Sequence, residues 1–223
     1  SDWRHSLPEG EGIEVLRDEP MAQHTTYKVG GSARAFIKIT SIEGLSATLD
    51  YVSKHDVPFV VIGNGSNVLF SDADFEGVVL QLTKGFDQIT MRKGSESDGS
   101  VLRVGAALSV TKLIRFMKQE KISGVEFLGG VPGTVGGAVR MNAGTVMGEV
   151  SDTLLRARVV TPGKAPEWIQ ASDLHLSYRH SELPANAIVI EADFACRPAD
   201  TETFERLDQV LSYRKQTQPL QMP

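Results

Sequence analysis

The sequence has a single cysteine, Cys196, among its 223 residues. An intramolecular disulfide is therefore impossible, and a small buried thiol in a reducing compartment fits best, so we expect a cytoplasmic protein. No apolar run approaches the roughly 20 residues that a membrane helix needs, so we expect no membrane insertion. The chain has 23 basic and 28 acidic residues, which gives no basic surface for nucleic acid. The five histidines do not fall at metal-ligand spacing, and we expect no metal site.

Two common nucleotide-binding patterns are also missing. The chain has no Gly-x-Gly-x-x-Gly dinucleotide fingerprint and no loop that ends in the Gly-Lys-Ser/Thr of a P-loop. It has instead a glycine loop directly after an apolar, strand-like run at residues 58–62. The candidate binding residues of this first glycine loop are Gly63, Asn64, Gly65, Ser66, Asn67 and Val68. Such a loop can turn several backbone N–H groups toward the oxygens of an anion such as a diphosphate. A tight turn between two strands is an equally open alternative.

A second glycine loop occupies residues 129–144 and holds six glycines in 16 residues. Its spacers are apolar rather than polar, which is not typical of a flexible linker. The candidate binding residues of this second glycine loop are Gly130, Pro132, Gly133, Thr134, Gly136, Gly137, Asn142, Ala143 and Gly144. Missing side chains suit a backbone that lies against a large planar ligand, and close backbone packing in the core is the alternative. Because residues 63–67 and 129–138 contain no Lys or Arg, we expect main-chain amides to hold any anion there.

The order of the remaining elements predicts an α+β fold. Helical spacing of apolar residues indicates helices at residues 42–55 and 109–120, with Ser41 and Ser109 as their N-caps, and a third near 201–215. Strand-like runs occur at 35–39, 78–80, 101–104, 154–160 and 187–195, and residues 92–100 form a polar turn. We predict an N-terminal extension (1–20), two lobes (21–90 and 91–197), and a helix with a linker (198–223) that leads toward an absent C-terminal domain.

Four motifs occur in order and together carry a resemblance to a known family. They are residues 24–31 (HTTYKVGG), 63–69 (GNGSNVL), 130–138 with 141–144 (GVPGTVGGA and MNAG), and 178–181 (YRHS). In this combination the chain resembles the UDP-N-acetylmuramate dehydrogenases, from about residue 20 to its end. The resemblance implies a two-lobed FAD-binding region of the vanillyl-alcohol-oxidase type, which is not a Rossmann fold. It places both glycine loops, Tyr178 and Ile188 around FAD.

The same resemblance implies a reaction and a catalytic residue. NADPH would supply hydride to FAD, and UDP-N-acetylglucosamine enolpyruvate would be reduced to UDP-N-acetylmuramate, a precursor of peptidoglycan. Arg179 falls at the arginine of the family's Tyr-Arg-x-Ser pattern, where it would stabilise negative charge on the substrate carboxylate. Taken by itself, Arg179 is more simply a solvated side chain paired with Glu182 or Asp173. The family's serine proton donor and its glutamate would lie beyond Pro223, so we expect these 223 residues to bind FAD without efficient turnover.

Two alternatives differ in the chemistry that they need. A flavin oxidase of the same fold group is the first, but such enzymes often attach flavin to His or Cys, and neither residue occurs in the two glycine loops. We therefore expect non-covalent FAD. A non-catalytic flavin-binding module is the second, and it leaves the motif at residues 178–181 without a role. The choice of NADPH over NADH is not fixed by the sequence.

Overall fold

The first half of the chain builds a four-stranded sheet around one helix. The structure, a computed structural model, describes residues 3–93 and 99–217. The elements of this half are β1 (Ile13–Pro20), β2 (Ser32–Ile39), α1 (Ile42–Lys54), β3 (Phe59–Ile62) and β4 (Phe75–Leu82). The strand order is β1-β2-β4-β3. β1 runs antiparallel to β2, whereas β4 is parallel to both β2 and β3.

The second half builds a larger, antiparallel sheet. Its elements are β5 (Ile89–Arg92), β6 (Ser100–Gly105), α2 (Val110–Glu120), β7 (Ile122–Ser123), α3 (Val135–Arg140), β8 (Gly144–Thr145), β9 (Gly148–Glu149), β10 (Leu154–Val160), β11 (Glu167–Gln170), β12 (Ile188–Pro198) and α4 (Thr201–Thr217). The main path runs β11-β10-β12-β6-β5, and β7 also pairs with β12. The mixed parallel and antiparallel arrangement confirms the predicted α+β class.

Helices α1 and α2 begin directly after Ser41 and Ser109, the N-caps predicted from the sequence. The Ser41 hydroxyl accepts a hydrogen bond from the Gly44 amide, and the Ser109 hydroxyl accepts one from the Lys112 amide. These bonds satisfy amides that have no partner within the first turn of a helix. The apolar faces of both helices are buried in the same core cluster, which also receives strands of both sheets. The two halves therefore share one hydrophobic core.

Several elements differ from the sequence-based prediction. The segment predicted as an N-terminal extension contributes β1, an edge strand of the first sheet. The second glycine loop contains the short helix α3, which was not predicted. The change from the first sheet to the second falls between Leu82 and Ile89, so β5 crosses the lobe boundary predicted at residue 90. Most of the polar turn predicted at 92–100, and the linker at 218–223, lie outside the described residues.

Candidate functional site

The first glycine loop is part of a long crossover rather than a tight turn. It follows β3 and leads to β4, and these neighbouring strands are parallel. The chain must therefore cross back to the end of the sheet at which β3 begins before it can enter β4, which a tight turn cannot do. The tight-turn alternative is therefore wrong. Gly65 has a φ of +65°, and a Cβ there would collide with the backbone carbonyl of His24. A side chain at Gly65 would disturb the fold before it met any ligand.

The amides of residues 64–68 in the first glycine loop have no hydrogen-bond partner among the described residues. The loop is held through its carbonyls instead, because Thr26 N donates to Gly65 O (2.9 Å) and Gln81 Nε2 donates to Gly63 O (2.7 Å). Buried or partly buried amides are nearly always paired in native proteins. A run of unpaired amides therefore indicates a place for an acceptor from outside the chain.

The structure brings the two glycine loops into contact. A Cβ on Gly63 would overlap the Thr134 hydroxyl, and one on Gly133 would lie 3.1 Å from the Ser66 hydroxyl oxygen. Thr134 is only 7% exposed as a residue, and its hydroxyl neither caps α3 nor forms another hydrogen bond with the part of the chain that the structure describes. No buried side-chain oxygen or nitrogen among the described residues lacks a partner, so the Thr134 hydroxyl is open to the cleft and not sealed in the core. Thr134 thus adds a side-chain donor to the amides opposite it.

Gly63 of the first glycine loop and Thr134, Gly136 and Gly137 of the second line a cleft between the two halves of the chain, which we call cleft A. Its volume is about 610 Å³. Its lining is Val57, Pro58, Phe59, Val60, Val61, Ile62, Gly63, Leu82, Ala106, Ala107, Thr134, Gly136, Gly137, Arg140, Ala185, Asn186, Ala187, Ile188 and Val189. Arg140 is the single charged residue among these, and the lining has no carboxylate. Size, apolar walls and net charge all suit an organic anion.

A second cavity, cleft B, holds the predicted catalytic residue. Its volume is about 860 Å³. Its lining is Gly144, Thr145, Val146, Gly148, Glu149, Tyr178, Arg179, Gln209, Val210, Tyr213 and Arg214. Tyr178 and Arg179 form the tip of a tight turn that Ser177 and His180 close with two reciprocal backbone hydrogen bonds of 3.0 Å each. Tyr178 is 84% exposed and contributes an aromatic face at the mouth of cleft B.

Arg179 has no carboxylate partner among the described residues. One guanidinium nitrogen donates to Gly144 O (3.2 Å), and the guanidinium carbon lies 5.5 Å from the centre of the Tyr178 ring. The alternative of an ion pair with Glu182 or Asp173 is therefore wrong in this structure, where Glu182 lies near His175 instead. An arginine has five N–H donors. Most of the Arg179 fork remains available to a carboxylate in cleft B.

Ten of the candidate residues line neither cleft: Asn64, Gly65, Ser66, Asn67, Val68, Gly130, Pro132, Gly133, Asn142 and Ala143. Gly130 packs beneath α4, where a Cβ would lie 3.1 Å from the Arg214 side chain. Asn142 is buried, and its side-chain amide donates to Ser177 O (3.0 Å) while its oxygen accepts from Ser151 N (2.9 Å). Ala143 is buried behind cleft B, and Pro132 lines neither cavity. Asn142 thus holds the turn that carries Arg179.

Other lining residues were not among the sequence-based candidates. Arg140 in cleft A is the clearest of them, because we expected only amides to face an anion there. Its position two residues after Ala138 was the available signal, but α3 had not been predicted. In cleft B, α4 contributes Gln209, Tyr213 and Arg214. Nothing in the local sequence of α4 shows that this face lies against the second glycine loop.

The residues present fit FAD. Its diphosphate needs donors, and the amides of residues 64–68 with the Thr134 hydroxyl would supply them without disrupting any internal bond. Its rings need flat space, and Gly137 provides it, since a Cβ there would have only the Thr134 hydroxyl within 4 Å, at 3.9 Å. Arg140 and the absence of carboxylates from the lining of cleft A favour two negative charges.

Comparison with known proteins agrees with this assignment. The family described as FAD binding domain matches residues 33–164. A VAO-type flavoprotein from Myceliophthora thermophila C1 has a similar fold, with a TM-score of 0.61 at 17% identity over 74% of this chain and 32% of that one. This chain therefore has the FAD-binding fold of the vanillyl-alcohol-oxidase type, as predicted.

More similar proteins identify the family. The UDP-N-acetylenolpyruvoylglucosamine reductase of Bacillus pumilus (strain SAFR-032) is 37% identical over 99% of this chain and 72% of its own length. The crystal structure of UDP-N-acetylenolpyruvylglucosamine reductase from Thermus caldophilus matches with a TM-score of 0.73 and 30% identity, covering 91% of this chain and 69% of that one. The chain belongs to the UDP-N-acetylenolpyruvoylglucosamine reductase family, which is also called the UDP-N-acetylmuramate dehydrogenase family.

Proposed function

We propose that this protein reduces UDP-N-acetylglucosamine enolpyruvate to UDP-N-acetylmuramate with FAD and NADPH, as a cytoplasmic step of peptidoglycan precursor synthesis. The observation that carries the proposal is the placement of Arg179, whose guanidinium faces cleft B without a carboxylate partner among the described residues. When bound, FAD would accept hydride from the nicotinamide and pass it to the substrate. The enolpyruvyl carboxylate is the group that a planar guanidinium fork recognises best.

The residues around Arg179 hold it ready for that carboxylate. Asn142 fixes the turn at Ser177, and Gly144 O accepts one Arg179 N–H, so the guanidinium does not have to be ordered when substrate binds. Electron density gained by the enolpyruvyl carbon is delocalised onto its carboxylate. A fixed cation at that position stabilises the charge as it develops, which is usually the largest part of such catalysis. Arg179 is thus the proposed catalytic residue.

Among the described residues, cleft B has no evident group to donate a proton to the substrate. No serine is among its lining residues, and the Glu149 side chain is occupied by the Ser151 hydroxyl at 2.8 Å. We therefore propose that residues 1–223 bind FAD but complete the reaction slowly. The test is anaerobic: NADPH should bleach the FAD-loaded full-length protein, and the enolpyruvyl substrate should restore its colour and yield UDP-N-acetylmuramate. If oxygen restores the colour and the substrate does not, the oxidase alternative is favoured.

Non-covalent FAD is the first expected result. No His or Cys lines cleft A or cleft B, and burial raises the pKa of the Cys196 thiol, which makes it a poor nucleophile. Acid precipitation of the yellow protein should therefore release all flavin into the supernatant. A flavoprotein with a covalent attachment serves as the control for the procedure. Yellow colour that stays in the pellet would contradict the expectation and support the oxidase alternative.

Thr134→Val is expected to weaken FAD binding without harming the fold. Valine keeps the volume, and the lost hydroxyl has no partner among the described residues, so thermal stability should change little. A hydrogen bond to a charged group contributes about 1.5–3 kcal/mol, which corresponds to a loss of roughly 10–100-fold in affinity. Fluorescence titration of FAD measures it.

A matched control for that variant is Thr48→Val. The buried Thr48 hydroxyl donates to Gly44 O (2.8 Å) inside α1, far along the chain from either glycine loop. This variant should lower the melting temperature and leave FAD affinity unchanged, which is the opposite pattern. Wild-type FAD affinity in Thr134→Val would remove that hydroxyl from the proposed site.

A further inference from the structure

Arg140 is bonded in an unusual way for a partly buried arginine. It is the last residue of α3, and it donates to Pro184 O (3.0 Å) and Ala187 O (3.2 Å) through one nitrogen and to Ala185 O (3.3 Å) through another. All three acceptors are backbone carbonyls of one short segment. Arg140 thereby ties that segment to the helix that carries Gly136 and Gly137.

No carboxylate pairs with Arg140 in the described part of the chain. Arg34, Arg103, Arg156 and Arg158 each have one within 3.3 Å. Burial lowers the pKa of the Arg140 guanidinium, although an arginine stays protonated under any physiological condition. The carbonyls satisfy three of its five N–H groups but leave its charge unbalanced. This charge belongs to the lining of cleft A.

A second bond runs in the opposite direction. The Ser181 hydroxyl donates to Arg140 O at 2.7 Å. Arg140 therefore holds both ends of residues 181–187, one through its carbonyl and the other through its guanidinium. This segment begins just after the Tyr178–Arg179 turn of cleft B and ends at Ile188 in the wall of cleft A. The guanidinium thus fixes the end of this segment at cleft A, whereas the end nearer cleft B is held by the backbone carbonyl of Arg140, which a side-chain substitution leaves in place.

We propose that Arg140 is a positioning residue for the adenosine half of FAD. The inference rests on the proposed function, because Arg179 places the reacting ring of the cofactor at cleft B and so leaves cleft A to the other end. Arg140 fixes the wall formed by residues 184–187, and its positive charge lies in the lining of cleft A. A lysine could not replace it fully, since a single ammonium cannot span three carbonyls in the way that a planar fork does.

The test compares Arg140→Met and Arg140→Lys with Arg158→Met in the FAD-free protein. Methionine keeps part of the side-chain stem and removes the charge. Arg158 is a matched control, because it is also partly exposed and is paired with Glu191 (3.3 Å) away from both clefts. FAD and FMN are titrated separately, because FMN lacks the adenosine half. We expect Arg140→Met to lose at least about tenfold in FAD affinity and little in FMN affinity.

The lysine variant should fall between methionine and wild type, and Arg158→Met should bind FAD normally. Wild-type FAD affinity in Arg140→Met, or equal losses for FAD and FMN, would overturn the inference. If Arg140→Met does not fold, Arg140→Lys decides, and wild-type affinity in that variant would overturn it as well. A wild-type protein that bound no FAD would instead refute the proposed function.

Discussion

Arg179→Ala should slow reduction of the enolpyruvyl substrate by about 10²–10³ while leaving bleaching by NADPH largely intact. The difference arises because charge develops on the substrate carboxylate only in the second step, and Arg179 faces that group in cleft B. FAD affinity should change little, since the proposed donors to the FAD diphosphate, residues 64–68 and Thr134, lie outside cleft B. Anaerobic stopped-flow measurement of the two steps, each with its own reagent, separates these effects.

A control for this variant uses the backbone at the same position. Arg179 has a φ of +55°, a left-handed conformation that costs a non-glycine residue about 1–3 kcal/mol. Arg179→Gly removes that strain and should melt no lower than wild type, yet it should be as slow as Arg179→Ala in the second step. Equal slowing of both steps in either variant would show that Arg179 maintains the architecture and does not stabilise the developing charge.

The strained turn also explains why Asn142 matters. Its side chain bonds Ser177 O on one side and Ser151 N on the other, and it has a φ of +42° itself. Two non-glycine residues in this conformation persist only where their surroundings hold them. The Met141-Asn142-Ala143-Gly144 motif therefore supports the turn that carries Arg179.

Helices α1 and α2 were predictable because two local signals coincide in each. A serine that can cap the first turn precedes an apolar face at helical spacing, and both signals act within a few residues of each other. Leu45 and Leu49 in α1, like Leu113 and Met117 in α2, are buried as that spacing predicts. No distant part of the chain had to be known.

The missed strands depend on distant partners. β1 alternates only weakly between exposed and partly buried residues, because it lies at the edge of the first sheet. β11 is an edge strand of four residues, and it pairs only with β10. Such strands gain most of their stability from a neighbour already in place. α3 was missed because its two glycines are poor helix formers, and tertiary contacts overrode that preference.

The candidate site was predictable to the extent that its residues share one loop. Clustered glycines in a sequence indicate positions that need positive φ, and Gly65 and Gly133 both have it in the structure. The residues that come from other elements do not. The position of the Arg140 side chain is set by backbone carbonyls more than 40 residues away in the chain. The position of α4 beside cleft B is set by the packing of Leu207 against Gly129. Such contacts arise only when the whole chain is folded.

One cluster outside the site stabilises the second sheet on which cleft A depends. Asp193 of β12 is only 2% exposed in its side chain and receives hydrogen bonds from Arg103 (2.7 and 2.9 Å) and Arg156 (2.8 Å). The guanidiniums of both arginines also lie over Trp168 of β11, at 4.7 and 4.3 Å. Four neighbouring strands, β11, β10, β12 and β6, are joined through this group. Ile188, in the wall of cleft A, is on the same strand as Asp193.

Asp193→Asn is expected to lower the free energy of unfolding at pH 7 by about 3 kcal/mol, because charged hydrogen bonds weaken and two arginines lose their shared anion. Burial raises the pKa of Asp193, but hydrogen bonds from Arg103 and Arg156 outweigh it, so the net pKa lies below its usual range. The wild-type advantage is therefore present above the unfolded pKa of about 4, and it is lost as pH falls through the folded pKa. Denaturant titrations between pH 7 and 3 measure how the difference between the two proteins shrinks.

Glu191→Gln is the control on the same strand, since its partly exposed pair with Arg158 should contribute at most about 1 kcal/mol. A difference between Asp193→Asn and wild type that does not shrink in acid would mean that the carboxylate charge is not what joins these strands.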